Sequence, residues 1–213
     1  MKKSGKIIIL ISIVIALIAI VFRTFIGNCF IFAKIYIKVQ STSINFDNLF
    51  FEETIEVKST GNSSSKYYFK DGNLKHEFTF TYNNEFLKEF GNLEKQITKI
   101  YYTNENSEAE EISYNGSSFE EGNELVSYEE IKKNIANDLK FFELNLTTEQ
   151  WKQLLLQKIE IEDNCYKIKI ENGCTYINRD TALIEKHVSE ESIISYKYSE
   201  NTVKYDDIKK DYN

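Results

Sequence analysis

The sequence predicts an α+β protein in which an N-terminal membrane segment precedes a single domain built on one curved antiparallel sheet. Two observations lead to this prediction. A run of sixteen residues with one polar member follows a lysine-rich N-terminus, and segments with the two-residue period of strands flank two segments with the helical period. The length of 213 residues allows one domain with a sizeable core and is too short for two comfortable ones.

The N-terminal segment has the composition of a membrane anchor. Three lysines precede the run Ile7–Phe22, and Arg23 and three further residues can extend the run to the roughly 30 Å of a bilayer core if Arg23 snorkels. No small-residue cleavage site follows. We therefore predict an uncleaved single-pass anchor over residues 1–28, with a cleaved signal peptide as the alternative. The N-terminal lysines favour an extracytoplasmic domain over residues 29–213.

The segment Cys29–Gln40 fits two templates. Its odd-numbered positions from Ile31 to Val39 are all apolar, as in a strand. Ile31, Ile35 and Val39 are also spaced by four residues, as in a helix. The residues themselves therefore leave the choice between strand and helix open.

The first half of the domain has the alternation of half-buried antiparallel strands. In the clearest strand, alternate residues from His76 to Tyr82 are apolar or aromatic and their neighbours are polar. Asp71 and Gly72 form the turn before this strand. The segment from Glu85 to Glu94 is ambiguous. The predicted strands are Asn48–Ser59, Lys66–Lys70, Leu74–Tyr82, Gln96–Thr103 and Glu111–Tyr114.

Two helices, predicted over Ser127–Lys140 and Thr148–Gln157, begin with complete start signals. Ser127 and Thr147 each precede a Glu or Gln by three residues, which is the pattern of a capping box. From Ile159 to Tyr198 the two-residue period returns, which predicts a strand meander. Hydrophobic staples pair Val126 with Ile131 and Leu146 with Trp151, and the apolar stripes contain Ile131, Ile135, Leu139 and Phe142 in the first helix and Trp151, Leu154 and Leu155 in the second.

The segment from Cys165 to His187 contains the residues that most resemble a reactive site. Asn172 and Gly173 are the preferred pair for a type I′ turn, which would place Glu171 opposite Cys174. Cys165 then lies about 20 Å from the turn, too far from Cys174 for a disulfide or a shared metal.

A four-residue loop after Asn178 would place Leu183 opposite Asn178 and His187 opposite Cys174. A cysteine and a histidine without a third ligand are more typical of a buried thiol beside a strand histidine than of a metal or catalytic site. We therefore predict no catalytic, cofactor or metal site.

The charge balance excludes nucleic acid as a partner. Only four of the 26 basic residues, and none of the 33 acidic ones, precede Cys29, so the domain is strongly acidic. The chain also lacks a glycine-rich phosphate loop, a Cys-x-x-Cys pair, His-Glu-x-x-His and Gly-x-Ser-x-Gly. The role of Cys29, Cys165 and Cys174 is left open.

Several short segments of the chain together have a recognisable pattern. They are Asn48-Leu-Phe-Phe-Glu, Cys165-Tyr-Lys-Ile, Thr175-Tyr-Ile-Asn-Arg-Asp-Thr-Ala-Leu-Ile, Tyr196-Lys-Tyr and Asn201-Thr-Val-Lys-Tyr-Asp-Asp-Ile. These segments resemble the membrane-anchored, LolA-like lipoprotein-carrier domains of low-GC Gram-positive bacteria. Tyr176 through Leu183 is similar to the hairpin Tyr-Ile-Asp-Lys-x-Thr-Gly-Leu of that family, with Ala182 at the glycine position. The proline usual after the terminal Asp-Asp-Ile is absent.

The resemblance implies an incomplete β-barrel with helices on its concave face, and a helix for Cys29–Gln40. It also implies that the concave face binds a membrane lipid, an acyl chain or a lipidated protein. The alternative is an envelope sensor or protein-interaction domain acting on a membrane-protein partner, since similar half-barrels occur in such regulators. The residues expected to line the ligand site are Phe78, Phe80, Tyr82, Ile135, Leu139, Trp151 and Leu155.

Overall fold

The computed structural model describes residues 3–91, 93–105, 107–113, 127–144, 146–170 and 173–208, and the side chains of these ranges outside 3–10 and 107–113. It confirms the α+β class: an N-terminal apolar helix precedes a domain with one large open antiparallel sheet. Tyr114, Val126, Glu171 and Asn172, which entered the predictions above, lie outside the described residues.

Helix α1 (Lys3–Ser41) contains 39 residues and is about 58 Å long at about 1.5 Å per residue. Its part from Ile11 onward is long and apolar enough to cross a membrane. Phe32, Ile35 and Val39 are buried against the domain, whereas Ile37 remains 67% exposed. The helical spacing therefore defines the buried side, and Cys29–Gln40 is a helix that continues without a break from the predicted anchor.

The ten strands found among the described residues belong to one antiparallel sheet, with the order β5-β4-β3-β2-β1-β10-β9-β8-β7-β6. The first strand pairs with the last, with Phe51 opposite Tyr198, so the strands before and after the helical pair form a single surface. The strands are β1 (Asn48–Val57), β2 (Gly61–Lys70), β3 (Asn73–Tyr82), β4 (Gln96–Asn104), β5 (Ser107–Ser113), β6 (Glu160–Glu162), β7 (Cys165–Ile170), β8 (Gly173–Asn178), β9 (Ile184–Ser189) and β10 (Ser192–Glu200).

The remaining helices begin at side-chain caps. The ambiguous segment after Tyr82 forms helix α2 (Asn84–Phe90), because the Asn83 side chain accepts a hydrogen bond from the backbone of Phe86 at 2.7 Å. Helices α3 (Tyr128–Asp138) and α4 (Thr148–Leu156) confirm the predicted pair. At α4 both hydrogen bonds of the capping box between Thr147 and Gln150 are present. Single 3₁₀ turns occupy Phe141–Glu143 and Tyr205–Asp207.

All the long helices contact the same side of the sheet, which we call the helix-facing side. Two buried clusters fill the space between the layers. The α1/α4 core covers β7, β8 and β9, and the α3 core covers β1, β2 and β3. The α1/α4 core contains Phe32, Ile35, Val39, Phe141, Leu154, Tyr166, Ile168, Ile177, Ala182 and Ile184, and the α3 core contains Leu49, Phe51, Phe69, Leu74, Tyr128, Ile135, Leu139 and Leu183.

The predicted register of the β7–β8 hairpin is wrong by two residues. Gly173 is the first residue of β8 and pairs with Ile170, and Cys174 lies opposite Lys169. Gly173 is needed there for another reason: a Cβ at this position would collide with the backbone oxygen of Val188 on β9. Gly173 is therefore required by the close approach of β8 to β9, and it belongs to the strand and not to the turn.

The predicted pairing of His187 with Cys174 is also wrong. The loop after Asn178 has the expected form, since the Asn178 amide donates to Leu183 at 2.9 Å and Ala182 has the left-handed φ of 61°. A β-bulge then inserts Glu185, so that His187 lies opposite Thr175. The Glu185 carboxylate accepts hydrogen bonds from Asn178 at 2.6 Å and from the Cys165 thiol at 3.2 Å, which stabilises the bulge.

Candidate functional site

The pairing of β1, β2 and β3 outlines a groove along β2, on the part of the helix-facing side that neither core covers. In this part β2 carries Gly61, Ser63 and Ser65, each of which lies between larger residues of β1 and β3. Ser63, for example, has Ile55 on one side and Phe80 on the other. We call this feature the serine groove. Its floor is Gly61, Ser63 and Ser65, and its walls are Glu53, Ile55 and Val57 on β1 and Phe78, Phe80 and Tyr82 on β3.

The dimensions of the serine groove follow from sheet geometry. The two wall strands are separated by two strand spacings, which is about 10 Å, and the floor from Gly61 to Ser65 is about 13 Å long. The wall side chains are half-buried, in contrast to the buried Leu49 and Leu74 further along the same two strands. None of the groove residues belongs to either core in the part of the chain that the structure describes.

Stacked rings close one end of the groove. Tyr67, the next residue of β2 on this side, stacks on His76 with a centroid distance of 4.1 Å, and His76 stacks on Tyr101 at 5.3 Å. Burial lowers the pKa of His76 to about 4, so its imidazole is neutral at pH 7. Burial likewise raises the pKa of Tyr67 to about 12. These rings therefore form an uncharged wall.

Two carboxyl groups lie beside this closed end. Burial raises the pKa of Glu53, and the negative charge of Asp138 at the end of α3 raises it further. Burial also raises the pKa of Asp138. The pair disfavours an anionic group at the closed end and provides acceptors for a hydrogen-bond donor.

An aromatic ladder leads from the open end of the groove to the surface. Phe80 contacts Tyr82 edge to face at 4.7 Å, Tyr82 stacks on Phe86 of α2 at 5.3 Å, and Phe86 stacks on Phe90 at 4.5 Å. Phe90 is 57% exposed. The apolar wall of the groove is thus continuous with an exposed aromatic ring.

The structure divides the seven residues predicted to line a ligand site among three places. Phe78, Phe80 and Tyr82 form one wall of the serine groove. Ile135 and Leu139 lie in the α3 core and are almost completely buried.

The other two predicted lining residues, Trp151 and Leu155, pack against the α1/α4 core. The Trp151 ring lies 5.7 Å from that of Phe32, 5.8 Å from that of Phe142 and 6.0 Å from that of Phe141. The seven side chains therefore do not line one common cavity.

Sequence reasoning missed the floor of the groove and its carboxyl pair. The predicted second strand began at Lys66, because the run of serines before it has the composition of a loop. The two-residue turn at Asp71 and Gly72 contained the missing information. Counting outward from that turn places Ser63 opposite Phe80 and Ser65 opposite Phe78, as the structure has them.

The cysteine and histidine residues do not form a common site. Because Cys174 pairs with Val188 and His187 with Thr175, their side chains lie on opposite sides of the sheet. His187 Nδ1 shares a hydrogen bond of 2.9 Å with the Thr175 hydroxyl. Among the described residues the three cysteines are free thiols, and no cluster of three or more His, Cys, Asp or Glu side chains could hold a metal ion.

The chain matches no protein-family model and no curated protein sequence. The serine groove, its carboxyl pair and the long apolar helix are therefore the features on which a functional proposal can rest.

Proposed function

We propose that this protein is a membrane-anchored, extracytoplasmic, non-enzymatic module that binds an acyl chain of a lipid or of a lipidated protein in the serine groove. The observation that supports this most directly is the shape of the groove. Small residues form its floor, and its wall side chains are aromatic or aliphatic except for Glu53 at the closed end. A narrow channel with mostly apolar walls suits a long, unbranched hydrocarbon chain.

The energetics favour such a ligand. Each methylene removed from water contributes about 0.8 kcal/mol, so a chain segment lying along the floor gains several kcal/mol. The aromatic ladder extends this surface beyond the groove to Phe90. The carboxyl pair of Glu53 and Asp138 excludes a free carboxylate from the closed end, so the chain enters with its methyl end first.

The anchor and the sheet support the rest of the proposal. Helix α1 is long and apolar enough to span a bilayer, and the lysines before it favour a cytoplasmic N-terminus. An open antiparallel sheet with helices packed on one side agrees with a LolA-like incomplete barrel. In that case the helix-facing side is the concave face, and the serine groove is the part of it that receives the ligand.

A pair of neighbouring serines allows a matched test of the groove. Ser63→Phe fills the floor, whereas Ser64→Phe places the same ring on the opposite side of the sheet, between Thr54 and Thr79. The measurements are native mass spectrometry of the detergent-solubilised full chain and titration with a fluorescent fatty-acid analogue.

We expect co-purified lipid and probe binding for the wild type and Ser64→Phe, and loss of both for Ser63→Phe. Equal binding by both variants, or no binding by the wild type, would contradict the proposal. Crosslinking in cells to a single membrane protein, without any bound lipid, would favour the sensor or protein-interaction function instead.

A further inference from the structure

Helix α1 is fixed to the domain at the point where it leaves the predicted anchor. Asn28 is only 4% exposed, and its Nδ2 lies 3.1 Å, 3.0 Å and 2.7 Å from the backbone oxygens of Leu154, Leu155 and Gln157. Leu154 and Leu155 belong to the last turn of α4, whose carbonyls have no helical partner, and Gln157 is the C-cap residue of this helix. The helix passes through Asn28 without interruption, so the orientation of the anchor determines that of the domain.

This connection leaves very little distance between the domain and the bilayer. At about 1.5 Å per residue, Ile7–Ile26 spans the roughly 30 Å of the hydrocarbon core. Asn28 is two residues further along, which is about 3 Å. Each headgroup layer is about 5–7 Å thick. With Ile7–Ile26 placed in the hydrocarbon core, the C-terminal end of α4 would lie within the headgroup layer of the leaflet next to the domain.

The residues at this level have the exposure expected of a membrane contact. Leu156 lies between two of the carbonyls that Asn28 approaches, yet its side chain is 56% exposed. Lys158, two residues further along, is exposed and can approach lipid phosphates. A leucine at the boundary between headgroups and hydrocarbon gains apolar burial that it lacks in water.

Hydrogen bonds connect the C-terminal end of α4 to the open end of the serine groove. The Gln157 side chain donates to Lys169 near the end of β7. At the same end of the strands, the Lys58 amide donates to Glu191 across the adjoining turns, and the Asn83 amide at the start of α2 donates to Thr60. We call this end of the sheet, at which β1, β3 and β7 finish, the proximal rim. It carries both Leu156 and the exposed Phe90 of the aromatic ladder.

We propose that the proximal rim rests on the leaflet through which α1 leaves the bilayer, with Leu156 and Phe90 in contact with lipid. This inference rests on the membrane anchoring in the proposed function. It adds the source of the ligand, because an acyl chain then passes from the leaflet along the aromatic ladder into the groove without crossing water.

The contact can be tested with tryptophan as a depth probe. The chain has one native tryptophan, which Trp151→Phe removes. In that background Leu156→Trp, Phe90→Trp and Tyr205→Trp are compared in full-length protein reconstituted into vesicles containing lipids brominated near the headgroups. Tyr205 is the matched control, because it is 68% exposed and follows by two residues Val203, which is hydrogen-bonded to Asn48 at the opposite end of β1 from the proximal rim.

We expect the brominated lipids to quench tryptophan emission at positions 156 and 90 and to leave the emission at position 205 unchanged. If either rim position behaves like the control, the proposal is wrong. A photoreactive benzophenone at positions 156 and 90 in the otherwise native chain should form lipid adducts, and their absence would also overturn it. This second measurement does not depend on the stability of the Trp151→Phe background.

A probe inside the helix separates failure of this inference from failure of the anchor. Val14→Trp should be quenched by lipids brominated deep in the acyl chains, because Val14 is an exposed residue within the apolar run. Quenching at position 14 without quenching at position 156 overturns only the proposed contact between the proximal rim and the leaflet. If position 14 is not quenched, both the anchor and the rim contact are wrong, whereas ligand binding in the groove is tested separately by the serine pair.

Discussion

Replacing Asn28 tests whether one side chain joins the apolar helix to the domain. Its amide approaches three backbone oxygens at the end of α4, one in a buried environment and two in partly buried ones. An amide has two N–H groups, so at most two full hydrogen bonds are lost in Asn28→Ala. A buried acceptor without a partner costs about 1–3 kcal/mol, and water can reach the two less buried oxygens.

We therefore expect Asn28→Ala to lower the free energy of unfolding by about 2–3 kcal/mol. For a domain of this size the unfolding midpoint falls by about 2–4 °C per kcal/mol, which gives about 4–12 °C. Asn28→Asp should lower the free energy of unfolding further than Asn28→Ala, although aspartate has the same shape as asparagine. The carboxylate accepts but does not donate, and its charge is unfavourable at a helix C-terminus.

The assay is thermal unfolding of the full chain in detergent, followed by the fluorescence of Trp151, which lies on α4 and is the only tryptophan. Gln40→Ala is the control, because Gln40 is an exposed polar residue on the same helix. Equal midpoints for Asn28→Asp and the wild type would refute the reasoning, since the isosteric change removes only the donated hydrogen bonds and adds a charge.

Two further predictions concern the aromatic clusters. Trp151→Ala should cost about 3 kcal/mol of stability and leave binding of the fatty-acid probe unchanged, because the half-buried Trp151 ring packs against the α1/α4 core; altered probe binding would show that it gates the ligand site. At His76, burial lowers the pKa from 6.5 to about 4, so the wild type should lose stability as pH falls from 6.5 to 4. His76→Phe keeps the ring stack with Tyr67 and should remove this part of the acid-induced loss, as measured by chemical unfolding at each pH; parallel curves would contradict the prediction.

Local signals in the sequence were sufficient for most of the individual elements. The caps at Ser127 and Thr147 accept hydrogen bonds from the backbone of Glu130 and Gln150, as predicted, because a capping box involves residues only three apart. The turn at Asp71 and Gly72 was predicted for the same reason, and both residues have positive φ.

Features that depend on contacts between strands could not be predicted from local sequence patterns. The bulge at Glu185 changes the side of the sheet on which His187 lies relative to Cys174, and alternation of residue types does not reveal one inserted residue. Gly173 resembled a turn residue, although it is required by the backbone of Val188 on another strand.

The sequence by itself determined the apolar N-terminal helix, the α+β order of elements and the faces of the clearest strands, because each depends on residues close together in the chain. Tertiary structure decided that β1 pairs with β10, that Ser63 lies between Ile55 and Phe80, and that Asn28 approaches the end of α4. These features join residues more than a hundred positions apart or require the register of three strands together. The physical reason is that a groove or a helix cap across the fold exists only after packing has brought distant backbone groups within hydrogen-bonding distance.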